Sequence, residues 1–124
     1  SFVEVRMDDD GIIPESFEET CKKHKPSILY TIPNFQNPSG AVTSLERRKA
    51  ILEIARKHDV VIIEDDPYRY ISFMDHVPDS YMSLAGEDAR VIYLGSFSKL
   101  ICPGIRCGWM ILPEAILKKM IERW

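Results

Sequence analysis

Four short apolar runs divide the chain, and none of them alternates with polar residues. They lie at residues 28–32, 60–63, 91–94 and 109–112 and are rich in β-branched and aromatic side chains. Unbroken runs of this length are typical of strands that are covered on both faces, as in α/β sheets. A fifth, weaker strand is predicted at 2–6, where apolar residues alternate imperfectly with charged ones.

Helical patterns occupy the segments between these runs. A four-residue apolar spacing predicts a helix over 14–24. Thr43 and Glu46 have the spacing of a capping box, which predicts a helix from there to about His58. A last helix is predicted to start at Pro113.

Strands that alternate with helices imply parallel pairing with right-handed crossovers. The last connection differs, because the segment 94–106 leaves little room for a crossover, which usually needs about a dozen or more residues. The strand at 107–112 is therefore predicted to run antiparallel to its neighbour. The predicted fold class is α/β, with a mostly parallel sheet, flanking helices and one antiparallel strand.

Length and charge exclude several classes of function. The 124 residues suffice for one domain, and no apolar run reaches the 20 or so residues that span a bilayer. Sixteen basic against nineteen acidic side chains argue against a nucleic-acid surface, which is normally basic. The three cysteines form no CxxC pair, so we expect free thiols in a reducing cytoplasm. The three histidines have no metal-binding spacing, and no metal is expected.

Polar clusters follow three of the predicted strands, at 33–40, 64–68 and 95–99. In open α/β sheets, ligands bind outside the carboxyl ends of the strands. An antiparallel fourth strand would begin at the same edge. The sequence therefore predicts one rim that carries Asn37, Asp65, Tyr68, Ser96, Ser98, Lys99 and Arg106.

The chemistry of this rim suits pyridoxal phosphate (PLP). A guanidinium such as that of Arg106, together with serine hydroxyls, matches phosphate oxygens. Lys99, beside a bound phosphate compound and another cation, would have its neutral form favoured and could act as a nucleophilic amine. Asp65 suits a cationic ring nitrogen, and a lysine with an aspartate partner for the pyridinium is the arrangement expected of a PLP site.

Three motifs in order resemble those of the fold-type-I PLP-dependent aminotransferases. They are 37–40 (Asn-Pro-Ser-Gly), 65–68 (Asp-Asp-Pro-Tyr) and 96–99 (Ser-Phe-Ser-Lys), the last followed by 103–109. Within that group the resemblance is to the branch of 2-aminoadipate and kynurenine aminotransferases. Because family members are much longer, the resemblance implies that 1–124 is a partial PLP-binding large domain. The N-terminal part and the small C-terminal domain would then lie outside this chain.

The resemblance implies a role for each matching residue. Lys99 would form the Schiff base with the cofactor and later move the proton of the substrate Cα, and Asp65 would pair with the pyridine nitrogen. Asn37 and Tyr68 would bind the phenolic oxygen, Tyr68 tuning the reactive lysine as a catalytic residue, and the Asn37–Pro38 bond is a candidate cis peptide. The phosphate would be held by Ser96, Ser98 and Arg106.

The implied activity is transamination between an α-amino acid and a 2-oxo acid, by a cytoplasmic homodimer. The chain alone is expected to be inactive, since the family's arginine for the substrate carboxylate is absent from it. The alternative is a PLP-sensing domain of a transcriptional regulator without turnover, with a DNA-binding domain upstream. Such regulators usually carry tyrosine directly after the aspartate pair, whereas Pro67 stands there in this chain.

Simpler interpretations and rival chemistries compete for parts of the same sequence. The segment 47–49 (Arg-Arg-Lys) is interpreted as an exposed helix face. A nucleotide hydrolase would need a GxxxxGK[ST] loop, which the chain lacks. A response-regulator receiver would carry its acids after the first strand, whereas about sixty residues precede them in this chain. The S-x-x-K pattern at 96–99 is that of serine acyl-enzymes, but their S-D-N and K-T-G partner motifs are missing.

Overall fold

The computed structural model describes residues 2–86, 88 and 90–123, and it is an α/β fold as predicted. The helices are α1 (Pro14–His24), α2 (Leu45–His58), α3 (Tyr81–Ala85), α4 (Phe97–Leu100) and α5 (Glu114–Ile121). The strands are β1 (Met7–Asp8), β2 (Gly11–Ile12), β3 (Ile28–Thr31), β4 (Val61–Asp65), β5 (Val91–Ser96) and β6 (Gly108–Ile111). Short 3₁₀ turns lie at Arg69–Ile71 and Pro103–Ile105.

The main sheet has the order β3-β4-β5-β6. The pairs β3–β4 and β4–β5 are parallel, whereas β6 runs antiparallel to β5. The prediction of an antiparallel last strand is therefore confirmed. Its register sets Ser96, the last residue of β5, opposite Gly108, the first residue of β6.

One face of this sheet carries the hydrophobic core. Leu29, Ile62 and Val91 point to it from the three parallel strands, and helices α1 to α3 supply its other half. On the opposite face, Ile28 and Tyr30 are 55% and 56% exposed. We call this second face the open face of the sheet.

The prediction of a strand at 2–6 is wrong. The segment pairs with no strand, and the first two strands are instead a separate hairpin of β1 and β2. Arg6 is held to the start of α1 by its main chain, which donates to the Ser16 hydroxyl and accepts from the Ile13 amide. The imperfect alternation of 2–6 thus reflects an extended segment without a sheet partner.

The helix predicted over 14–24 is confirmed at both ends, but the N-cap of α2 lies one residue after the Thr43 that the predicted capping box placed there. Ser44 is the N-cap, and its hydroxyl accepts the amide of Arg47. Thr43 is buried, and its amide donates to the Pro33 carbonyl at 2.8 Å. Among the described residues, no helix is long and apolar enough to cross a membrane.

Candidate active site

The seven residues of the predicted rim all lie at one end of the main sheet. Asn37 is in the loop after β3, Asp65 is the last residue of β4, and Tyr68 follows it. Ser96 ends β5, Ser98 and Lys99 are in α4, and Arg106 precedes the antiparallel β6. The order of the strands therefore arranges these groups in sequence along a single edge.

The turn from β5 into α4 is fixed by hydrogen bonds. The Ser96 hydroxyl caps α4 by accepting the Ser98 amide at 3.2 Å, and the Phe97 amide donates to the Cys107 carbonyl at 3.0 Å. Helix α4 also packs against both 3₁₀ turns. The helix that carries Lys99 is thus adjacent to the turn after Tyr68 and to the turn before Arg106.

Lys99 and Arg106 supply two exposed cationic groups near the junction of β5 and β6. Within the part of the chain that the structure describes, neither side chain makes a hydrogen bond or an ion pair. Arg106 has a left-handed backbone conformation with φ 48° at the end of its 3₁₀ turn. These cations are therefore available to an anionic ligand.

Asn37 and Tyr68 line one groove of about 490 Å³. The other lining residues come from the two loops that flank the groove, and the Asn37–Pro38 peptide bond is cis, as predicted. The structure thus brings together the amide and the phenol that were predicted to bind the same oxygen atom. The full lining consists of Phe35, Gln36, Asn37, Pro38, Gly40, Tyr68, Ile71, Ser72 and Phe73.

Asp65 has a hydrogen-bond donor that the sequence did not reveal. The Tyr30 hydroxyl, on the adjacent strand β3, donates to Asp65 Oδ2 at 2.5 Å. Burial and this bond to a carboxylate raise the pKa of Tyr30 to about 12, so the phenol is a protonated donor at neutral pH. Nothing in the apolar run 28–32 distinguished Tyr30 from a packing residue.

Behind the rim, on the covered face, lies a buried polar network. Asp66 is 1% exposed, and its carboxylate accepts from Asn34 Nδ2 at 2.8 Å and from Arg69 Nε at 2.7 Å. Asn34 precedes the Asn37 loop, and Arg69 follows Tyr68. The network therefore ties the loop after β3 to the loop after β4.

Arg48 joins this network, and its predicted place on an exposed helix face is wrong. It is 0% exposed, and its guanidinium donates to the Asn34 side chain and to the carbonyls of Pro33 and Thr43. The chain did contain a signal for this burial. Arg48 shares the i, i+3, i+4, i+7 stripe of α2 with its buried apolar residues Ile51, Leu52 and Ala55.

Residues 2–123 match the family described as "Aminotransferase class I and II". The chain belongs to this family. It is 38% identical to the kynurenine/alpha-aminoadipate aminotransferase, mitochondrial, of Bos taurus, over 98% of this chain. It superposes on the crystal structure of LysN, an alpha-aminoadipate aminotransferase from Thermus thermophilus complexed with N-(5'-phosphopyridoxyl)-L-leucine. That match has a TM-score of 0.92 and 37% identity, and it covers 99% of this chain.

A further relative is the HTH-type transcriptional regulator YisV of Bacillus subtilis (strain 168), which is 37% identical over 94% of this chain. The chain spans less than a third of the length of each of these three relatives. It covers 31% of the bovine enzyme, 32% of LysN and 24% of YisV.

The donor set of the rim fits PLP group by group. A guanidinium and two hydroxyls suit the phosphate, and a carboxylate suits the ring nitrogen. An amide and a phenol in one groove suit the phenolic oxygen, and an exposed amine suits the aldehyde. Two strand spacings, about 10 Å, separate β4 from β6, which gives room for a small ring compound along the edge.

Proposed function

We propose that this chain is part of a PLP-dependent aminotransferase that acts on an α-amino acid and a 2-oxo acid. The observation that carries the proposal is the arrangement of the sheet edge. Strand order and register set a carboxylate, an amine on a capped helix, and a guanidinium along it in sequence. The family supports the same assignment.

The proposed roles of these residues follow from their chemistry. Arg106, Ser96 and Ser98 hold the phosphate, and Asp65 holds a proton on the ring nitrogen. When bound, PLP acts as an electron sink for negative charge at the substrate Cα. Lys99 binds the cofactor covalently and moves the proton at the Cα.

Asn37 and Tyr68 face the phenolic oxygen in this proposal. An amide N–H and a phenol O–H both donate hydrogen bonds, and donors of this kind favour the ionised form of the oxygen they contact. The groove that these two side chains share supports the assignment. Tyr68 and Asn37 thereby adjust the reactivity of the cofactor that Lys99 holds.

We propose that residues 1–124 are the central part of the PLP-binding large domain, and that they do not transaminate alone. The open face of the sheet supports this, because Ile28, Tyr30 and Met110 are each at least half exposed although their strands are apolar. Such a face is normally covered in an α/β sheet. The share of each relative that the chain spans is also that of a partial domain.

The proposed parent protein is a homodimer in the cytoplasm. The free cysteines, of which Cys102 and Cys107 are exposed, support a reducing compartment. The bovine relative carries the word mitochondrial in its name. The substrates of the parent protein are proposed only as a class, since the arginine that would contact the substrate carboxylate is expected outside this chain.

A second candidate is a PLP-sensing domain of a transcriptional regulator, which the similarity to YisV favours. Pro67 counts against it, because such regulators usually carry tyrosine directly after the aspartate pair. The two candidates differ in turnover, because a sensing domain binds the cofactor without transferring the amino group.

The test uses the full-length protein that contains these residues, assayed with panels of amino acids and 2-oxo acids. We expect amino-group transfer by the wild type, and a loss of at least about a thousandfold in Lys99→Arg, because the amine is both nucleophile and general base. Lys119→Arg, on the exposed α5, is the matched control and should retain activity. PLP binding without turnover by the wild type would favour the regulator.

A further inference from the structure

We infer that Tyr30 is a positioning residue for Asp65, which it orients toward the ring nitrogen of the bound cofactor. The inference rests on the proposed function, in which Asp65 holds the proton of that nitrogen. Its evidence is the hydrogen bond of 2.5 Å from the Tyr30 hydroxyl to Asp65 Oδ2.

The two side chains meet because of the sheet register. Tyr30 pairs with Ile63, and Asp65 lies two residues further along β4. Side chains two residues apart on a strand share a face, so Tyr30 and Asp65 both stand on the open face. A diagonal pair of this kind is within the reach of a long aromatic side chain.

The bond leaves one carboxylate oxygen for a ligand. Asp65 Oδ2 accepts the phenol, and Asp65 Oδ1 has no hydrogen-bond partner among the described residues. A carboxylate on a single strand end can rotate about its terminal bond, and a fixed donor on one oxygen restricts that rotation. The free oxygen is thereby presented in one direction, toward the ring nitrogen of the bound cofactor.

The hydroxyl of Tyr30 makes no other hydrogen bond among the described residues. The residue is 56% exposed, and Asp65 is the only partner that the described residues offer its hydroxyl. Removing that oxygen should therefore leave the core intact. Tyr30→Phe therefore tests the hydrogen bond rather than the fold.

The experiment is a double-mutant cycle on the full-length protein, with Tyr30→Phe, Asp65→Asn and the double variant. The readout is the dissociation constant of PLP. Tyr30→Phe should raise it about fivefold, since a carboxylate that the phenol no longer holds must lose its rotational freedom when PLP binds. In the Asp65→Asn background the same change should have an effect below about twofold, because the partner carboxylate is gone. Tyr70→Phe, an exposed tyrosine on the adjacent turn, is the matched control.

The cofactor-free protein gives a second readout. The pKa of Tyr30 is raised to about 12, so its hydrogen bond persists below that pH and is lost as the pH rises through it. Asp65→Asn removes the charge that opposes ionisation and should lower the pKa of Tyr30. Tyrosinate absorbance measured in each background, minus that of its Tyr30→Phe variant, isolates this group.

The outcomes separate the inference from the proposed function. An unchanged dissociation constant in Tyr30→Phe, or equal effects of this change in both backgrounds, would overturn the inference alone. If the wild type binds no PLP, the proposed function fails and the inference fails with it. Coupling between the two positions, with normal binding by Tyr70→Phe, supports both.

Discussion

Three consecutive acids at the end of β4 have three different environments. Glu64 is fully buried on the covered face, where it accepts the amides of Tyr81 and Met82, and burial raises its pKa. Asp66 is on the same face and is bonded within the buried network. Strand alternation leaves only Asp65 on the open face. This is the physical reason why the proposed function assigns the ring nitrogen of PLP to Asp65 rather than to its neighbours.

A second residue with a specific requirement is Gly95, which lies opposite Trp109 in the β5–β6 pair. A Cβ at Gly95 would stand 2.1 Å from the indole ring, which also packs on Phe97 with ring centroids 4.6 Å apart. Gly104→Ala offers a control, because a Cβ there meets nothing within 4 Å.

Gly95→Ala should therefore destabilise the protein by about 1–3 kcal/mol, the usual cost of forcing extra volume into a packed site. Displacement of Trp109 should also change its fluorescence. Urea unfolding followed by tryptophan emission measures both effects. Equal stability of Gly95→Ala and Gly104→Ala would contradict the packing described for β5 and β6.

At the scale of elements, α2 fixes the loops that carry the site. Its buried Arg48 reaches the loop after β3 through Pro33 and Asn34, and Asn34 in turn bonds Asp66 after β4. Buried polar groups that are fully bonded hold their segments in one arrangement. The positions of Asn37 and Tyr68 thus depend on α2 through this buried network.

Replacing Arg48 by methionine should cost about 3–5 kcal/mol of stability, because Asn34 and several carbonyls lose a buried charged donor. The neighbouring Lys49→Met is the control and should cost less than about 1 kcal/mol, since Lys49 is exposed and paired only at the surface. Both values come from urea unfolding. A cost for Arg48→Met as small as that for Lys49→Met would show that the network does not hold the fold.

The elements that the sequence predicted well are those with a strong periodic signal. Apolar runs located β3 to β6, and the short connection before β6 gave its direction. The hairpin of β1 and β2 was missed because two-residue strands carry no period. The burial of Arg48 was missed because a charged residue is normally expected at the surface, although its position lies on the buried stripe of α2. The hydrogen bond of Tyr30 was missed because it joins two strands that are distant in sequence.

At the scale of the whole molecule, the chain is a sheet with one covered and one open face. The site residues gather at one end of this sheet, and Asp65 and Ser96 project toward the open side by strand alternation. Helices on both faces are the rule for parallel sheets of this kind. The arrangement agrees with the proposal that a larger domain completes the site.

The central claim is that Lys99 holds PLP in the complete protein. Borohydride reduction of the PLP-loaded full-length protein, followed by proteolysis and mass spectrometry, locates the lysine that carries the pyridoxyl group. We expect a single label on Lys99, lost in Lys99→Arg and retained in Lys119→Arg. A label on any other lysine, or none in a protein that transaminates, would contradict the claim.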